Sequence, residues 1–453
     1  MARVTDMTKG KPAALLISFA FPLLLGNLGQ QLYMIVDAII VGRGVGVKAL
    51  AAVGATDWTY WLFLWVIQAL TQGFATRISI HYGERNFARL RKDVGMSVFL
   101  CVGAGIFLTV ISMVSAGFML RVLKTPEDIF DGAYAYLITM LAGTLIVMAY
   151  NMVSAILRAF GDGKTPLVAM GIAASTNIVL DLLFVLGFHL GIVGAAVATL
   201  IAQLISFLYC FFVLKKMDFL KMQPKDWSWD GRVVADLCML GLPLALQNIL
   251  IAIGGMILQS TINSQGILFV AGFTATNKIY GLLESSAFAL NFATTTYISQ
   301  NYGAGHGDRI HKGVKSATLI GLAMSVCVAV LMVLSGRTIL QLFVDSSDGN
   351  ASEVLAIAYR YLVVMSSLLF TLYLLHIYRS VLQGLGNGVG PMVSGIIEFV
   401  MRVTAALVFT RIWGSGVIFF AEPMAWAGAA AFVIVACLWK LKKIPDSKRK
   451  EQG

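Results

Sequence analysis

Charge is what this sequence lacks most. Asp, Glu, Lys and Arg make up 13% of its 453 residues while 58% are hydrophobic, against about 25% charged in soluble domains. That shortage excludes a water-soluble globule. Cysteine is rare too: Cys101, Cys210, Cys238, Cys327 and Cys437 sit in or beside apolar runs, with no CxxC pair and no metal-type spacing. They are expected to pack as small core residues, without a disulfide. The five histidines are scattered and no HExxH occurs. No Ser/His/Asp set follows from spacing, so zinc- and serine-hydrolase chemistry finds no support. Gly161-Asp-Gly-Lys-Thr165 lacks the glycine that a Walker loop needs five residues before Gly163, where Arg158 stands, and Pro166 follows at once. ATP hydrolysis is therefore unsupported, no enzyme is expected and no cofactor is implied.

What the chain does have is apolar runs of helical length. Ala317 to Leu334 is one of them, about what a helix needs to cross some 30 Å of hydrocarbon. Cutting at Gly, Pro and charge clusters gives twelve candidate spans, near 13–42, 48–78, 93–120, 131–158, 165–187, 191–214, 234–261, 267–298, 313–336, 353–383, 391–412 and 415–440. The first run, from Ala13 to about Gly42, is too long for the roughly 7–15 residue core of a signal peptide, so the first span is expected to be retained.

The net charge of +11 raises the question of a nucleic-acid partner, which the positions of the basic residues answer. Of the 34 Lys and Arg, 24 fall in alternate loops and the two ends, and six fall in the opposite loops. The last four, Lys278, Arg360, Arg379 and Arg402, lie within spans. The positive-inside rule then makes both termini cytoplasmic, in a multi-pass cell-membrane protein with the lipid bilayer as its surroundings and no nucleic-acid partner.

The chain also matches itself at a shift of 220 to 225 residues, as a repeat architecture does. Pro22-x4-Asn27 recurs as Pro243-x4-Asn248, Ala55-Thr56-Asp57 as Ala275-Thr276-Asn277, and Gly161-x-Gly163-x2-Pro166 as Gly386-x-Gly388-x2-Pro391. The fold expected is an all-α membrane protein of twelve transmembrane helices, in two homologous six-helix bundles around a central cavity. The bundles are 1–214 and 233–440, with a basic cytoplasmic linker at 215–232 and a basic tail at 441–453. Six helices per unit bring both halves in from the same face, as in parallel-repeat transporters.

An ionisable group inside the bilayer costs about 2.5–3.5 kcal/mol on insertion scales and is a functional candidate unless a partner accounts for it. Asp37 lies roughly 8 Å inside the outer end of the first span, with Gln30 and Tyr33 on the same face. Asn177 and Asp181 share one face of the fifth span, and Thr199 lies on the returning sixth at about the same depth. Two carboxylates, an amide and a hydroxyl suit a hard cation such as Na⁺, or a proton shared between the acids. The alternative is that they only hydrogen-bond one another. The second half has Arg402 and Ala406 at the positions of Asn177 and Asp181, so the acidic site belongs to one half.

The remaining charges divide. Glu398 and Arg402 form an i, i+4 pair expected to neutralise itself, with substrate binding as the alternative. Lys278 and Glu284 are six residues apart, about 120° round the helix, and are expected to face the cavity without pairing. Asp57 is expected to line the cavity from the second span or to mark a helix start. Glu422 is placed at the outer interface.

Val36-Asp37-Ala-Ile-Ile-Val-Gly42-Arg43, followed by Ala49-Leu-Ala-Ala-Val-Gly54, resembles the first-helix signature of the multidrug and toxic compound extrusion (MATE) transporters. Arg158-Ala-Phe-Gly161-Asp-Gly163-Lys-Thr-Pro166 is similar to that family's motif between its fourth and fifth helices. By this resemblance Asp37 matches an essential helix-1 aspartate, and Asn177, Asp181 and Thr199 match the cation site of the DinF-like branch. Some members carry a coupling glutamate on helix 7, yet Leu242 to Ser260 contains no acid. The resemblance implies a secondary antiporter, a monomer, exporting amphipathic and usually cationic small molecules in exchange for Na⁺ or H⁺. Tyr33, Trp58, Tyr60 and Tyr280 would line its cavity. A flippase for a lipid-linked precursor is the alternative.

Overall fold

The computed structural model describes residues 4–342 and 350–444. Most of the expected basic tail and Arg3 lie outside the described residues. The described chain is helical almost throughout, as it must be where no water is at hand to satisfy backbone N–H and C=O groups.

The first half runs α1 (Pro12–Gly44), α2 (Val47–Gly83), α3 (Phe87–Val122), α4 (Glu127–Ala142), α5 (Thr144–Ala159), α6 (Lys164–Asp181) and α7 (Gly191–Lys215), with a π-helical turn, Leu182–Gly187, closing α6. The second runs α8 (Gly231–Asn263), α9 (Ile267–Gly303), α10 (Gly307–Gln341), α11 (Ala351–Ser367), α12 (Leu369–Gly384), α13 (Val389–Thr404), α14 (Thr410–Trp413) and α15 (Ala421–Leu441). A π-helical turn at Ala405–Phe409 follows α13, and a 3₁₀ turn at Ser415–Phe420 precedes α15.

Among the described residues nine helices are long and apolar enough to cross a bilayer alone, and two bent pairs bring the number to eleven. The one expected span not among them, 267–298, corresponds to α9. At 37 residues it is roughly 55 Å long, but Lys278, Glu284 and Thr294-Thr295-Thr296 make it more polar. The repeat thus folds as two homologous six-helix bundles.

Two expected spans are not single helices. The span at 131–158 bends by 47° between α4 and α5, and that at 353–383 by 46° between α11 and α12. Each break is followed by a threonine bonded back to the preceding turn: Thr144 Oγ1 donates to Leu141 O at 2.6 Å and Thr371 Oγ1 to Leu368 O at 2.7 Å. Hydroxyls that compete for helix carbonyls in this way bend helices, and hydropathy does not register them.

The motif at Gly161–Pro166 has a structural explanation. Gly161 has φ 81°, and a Cβ there would lie 2.1 Å from the carbonyl oxygen of Thr5, so only glycine fits. Asp162 accepts from the backbone N–H groups of Lys164 and Thr165 at 3.1 and 2.9 Å and from the Thr165 hydroxyl at 2.6 Å. It caps α6, and Pro166 sits in the first turn, where its missing N–H costs nothing. Gly386 repeats the positive φ at 73°.

The chain forms two compact units. One joins residues 4–6 with Phe21–Ala245; the other joins Met7–Ala20 with the described residues from Leu246 onward. Within the first unit α2 and α8 meet at glycines, and a Cβ on Gly73 would lie 2.5 Å from Gly241 Cα. Such small-residue contacts let membrane helices approach closely. Gly73→Ala is expected to lower stability by about 1–3 kcal/mol, read as a lower melting temperature of the detergent-purified protein.

Candidate functional site

Asp37 on α1, Asn177 and Asp181 on α6 and Thr199 on α7 come together inside the first unit. Asn177 is 2% exposed and Asp181 fully buried. The Asn177 Nδ2 donates to Thr199 Oγ1 at 3.2 Å, and the amide oxygen is buried. The Asp37 and Asp181 carboxyls adjoin one another. As carboxylates neither can donate, so Asp37 Oδ1, both oxygens of Asp181 and Asn177 Oδ1 are buried without a hydrogen-bond partner. Among the described residues no Lys, Arg or His forms an ion pair with either acid.

Local structure explains the assembly. Asp181 is the last residue of α6, and the π-helical turn that follows returns the chain as α7, setting Thr199 beside Asn177. Inserted turns of this kind are frequent at functional sites. Nearby, Ile40, Val41, Leu120, Leu137, Val185 and Ile192 belong to one buried apolar cluster, against which Val36, Tyr60, Tyr136 and Ile178 pack. An apolar wall beside unpartnered acids lowers the local dielectric and raises the cost of leaving them bare. Tyr33 and Tyr136 lie within electrostatic reach of Asp37; Tyr136 was not among the residues the sequence singled out. Gln30 is half-buried on α1, and Trp58 is 37% exposed. Asp57 is exposed and lies well inside α2, so it marks no helix start.

The donor set is oxygen only, with two acids at most. No cluster of three or more His, Cys, Asp or Glu suited to a metal gathers among the described residues. Orphaned carboxylate and amide oxygens beside the Thr199 hydroxyl fit a hard monovalent cation or a proton.

The second unit treats its charges differently. Glu398 on α13 accepts from Arg402 Nη2 at 2.8 Å and from Arg379 Nη2, on α12, at 2.6 Å. Arg402 also pairs with Glu422 on α15 at 2.6 Å and donates to the Ile251 carbonyl at 3.1 Å. Arg379 Nε holds Ser394 Oγ at 2.7 Å, while Arg402 Nε has no partner. The i, i+4 pair is therefore part of a buried cluster of two arginines and two glutamates. Glu422, expected at the outer interface, stands in the first turn of α15 after the 3₁₀ turn and is paired with Arg402, its side chain 16% exposed. Arg379 stands 19 residues from Glu398, a separation that no helical spacing flags. Glu284 accepts from the hydroxyl of Tyr280, whose ring stacks on Trp426 at 6.2 Å. Lys278 is exposed and makes no ion pair among the described residues.

Twelve spans in two repeats, with unpartnered acids in one of them, give the chain the architecture of a membrane transporter. The MatE family model matches residues 22–183 and 243–408, one segment in each half, and the chain belongs to that family of multidrug efflux transporters. It is 30% identical to the probable multidrug resistance protein YpnP of Bacillus subtilis, over 76% of this chain and 78% of that one. It is 24% identical to the probable multidrug resistance protein NorM of Thermotoga maritima, over 94% and 90%. A crystal structure of MATE in complex with MaL6 superposes with a TM-score of 0.89 at 23% identity, covering 98% of this chain and 99% of that one.

Proposed function

We propose that the protein is a cation-coupled antiporter that exports amphipathic, cationic small molecules. One observation carries this: the buried oxygens of Asp37, Asn177 and Asp181 have no donor. A bare pair of carboxylates in an apolar surround is costly, and Na⁺ or a proton arriving there removes that cost. Entry of the ion neutralises the first bundle and changes which conformation it favours, so ion and cationic substrate bind in mutual exclusion. We assign substrate contact to Gln30, Tyr33 and Asp57 of the first unit and to Lys278 and Glu284 of the second. The moving lobes are the repeats, 1–214 and 233–440, joined by the linker 215–232. The protein acts as a monomer in the cell membrane with both termini in the cytoplasm.

The test is efflux of a fluorescent organic cation from proteoliposomes. Replacing Na⁺ by choline at a fixed pH gradient is expected to abolish efflux if sodium is the coupling ion and to spare it if protons are. Efflux of equal rate with neither gradient present would overturn the coupling.

A further inference from the structure

The second bundle holds at its repeat-related position the charge that the first bundle lacks. The shift that carries Gly161 to Gly386 carries Asn177 to Arg402, and carries Thr199 to Met424, two residues past Glu422. In both halves the same pair of spans is bridged at this level. In the first, Asn177 donates to Thr199 at 3.2 Å; in the second, Arg402 pairs with Glu422 at 2.6 Å.

The surroundings correspond as well. The shift that carries Pro22 to Pro243 carries Tyr33 to Gly254 and Asp37 to Leu258. Where the first repeat has the Tyr33 ring, the second has a glycine, and a Cβ on Gly254 would lie 3.4 Å from Arg402 Nη1 and 3.5 Å from its Cδ. The missing side chain leaves the space through which the arginine reaches the Ile251 carbonyl. Two carboxylates flank the arginine, Glu398 and Glu422, as two carboxylates, Asp37 and Asp181, adjoin in the first bundle. Arg379 balances the remaining negative charge, so the second cluster holds two bases against two acids, whereas among the described residues no base pairs with Asp37 or Asp181.

We propose that the guanidinium of Arg402 is a tethered cation, standing in the second bundle where the mobile ion stands in the first, and that it confines coupling to one ion site per transport cycle. This rests on the first-bundle ion site proposed above. An ion that cannot leave cannot be exchanged, so the second bundle keeps one packing while the first alternates between bare and occupied acids. Arg402 is a positioning residue that sets stoichiometry; it touches neither the ion nor the substrate.

The test measures cation binding to the full-length protein in detergent and choline buffer, with radiolabelled sodium and, for protons, a pH-indicator dye as probes. Asp37→Asn is expected to bind no cation. Asp37→Asn combined with Arg402→Asn is expected to regain one per chain and to lose it when Glu422→Gln is added. Arg402→Lys keeps the tethered charge and is expected to add no site. A double variant that elutes as one folded species and binds neither probe overturns the assignment. Should Asp37→Asn alone keep its cation, the first-bundle site fails instead, and comparing Arg402→Asn with the unaltered protein decides the second bundle. If Arg402→Asn does not fold in choline, recovery in sodium or in dilute guanidinium supports the assignment, and failure in all three overturns it.

Discussion

Asp37→Asn is expected to reduce gradient-driven export in proteoliposomes on the order of tenfold or more, within the usual range of coupling between sites, without unfolding the protein. The two halves of that expectation have one cause. Asp37 Oδ1 accepts no hydrogen bond and Asp37 pairs with no base among the described residues, so its charge does no structural work that an amide would lose. Asn removes a charge repelled by Asp181 and supplies a donor toward acceptors that have none, so the melting temperature should hold or rise. Export should fail because a neutral amide no longer distinguishes the ion-bound state from the empty one. Asp181→Asn is expected to act in the same direction. An Asp37→Asn protein that exports at the normal rate would remove the acids from the mechanism, and one that fails to fold would show that the carboxylate is structural.

Arg402→Ala is expected to do the opposite and destabilise strongly. It strips Glu398 of one partner and Glu422 of its arginine inside the second unit, where the side chains of Arg402 and Glu398 are each 4% exposed. Removing one member of a buried ion cluster costs about 3–5 kcal/mol, because the remaining charges are left unpaired. Thermal unfolding in detergent should show a lowered transition or a loss of monodisperse protein. Lys278→Ala on α9 is the control. Lys278 is exposed, and its loss should change stability by no more than about 0.5 kcal/mol. Equal effects of the two substitutions would mean that the arginine cluster adds nothing to the packing.

Asp37, Asn177, Asp181 and Thr199 were visible in the sequence because they sit within apolar runs at matching depths, and depth follows from helical rise alone. That they adjoin was only implied: depth says nothing of which way a helix is turned. The bends at Gly143 and Leu368 and the arginine cluster were less visible. At each bend a threonine hydroxyl bonds to a carbonyl of the preceding turn, which leaves hydropathy unchanged. The cluster unites α12, α13 and α15, so Arg379 and Glu422 looked like two isolated charges, one of them at the membrane edge. Asp162 illustrates the reverse. Its motif failed the Walker pattern without revealing a role, and its side chain proves to be a helix cap.

Composition and order along the chain determined on their own that this protein lives in lipid, that it is a repeat, and that one half keeps acids the other replaced. Those are properties of single helices, and a helix in hydrocarbon satisfies its backbone by itself. Only the tertiary structure decided which acids have partners. Pairing depends on how each helix is rotated against its neighbours, and side chains from three different spans must converge before a charge is either neutralised, as at Arg402, or left bare, as at Asp181.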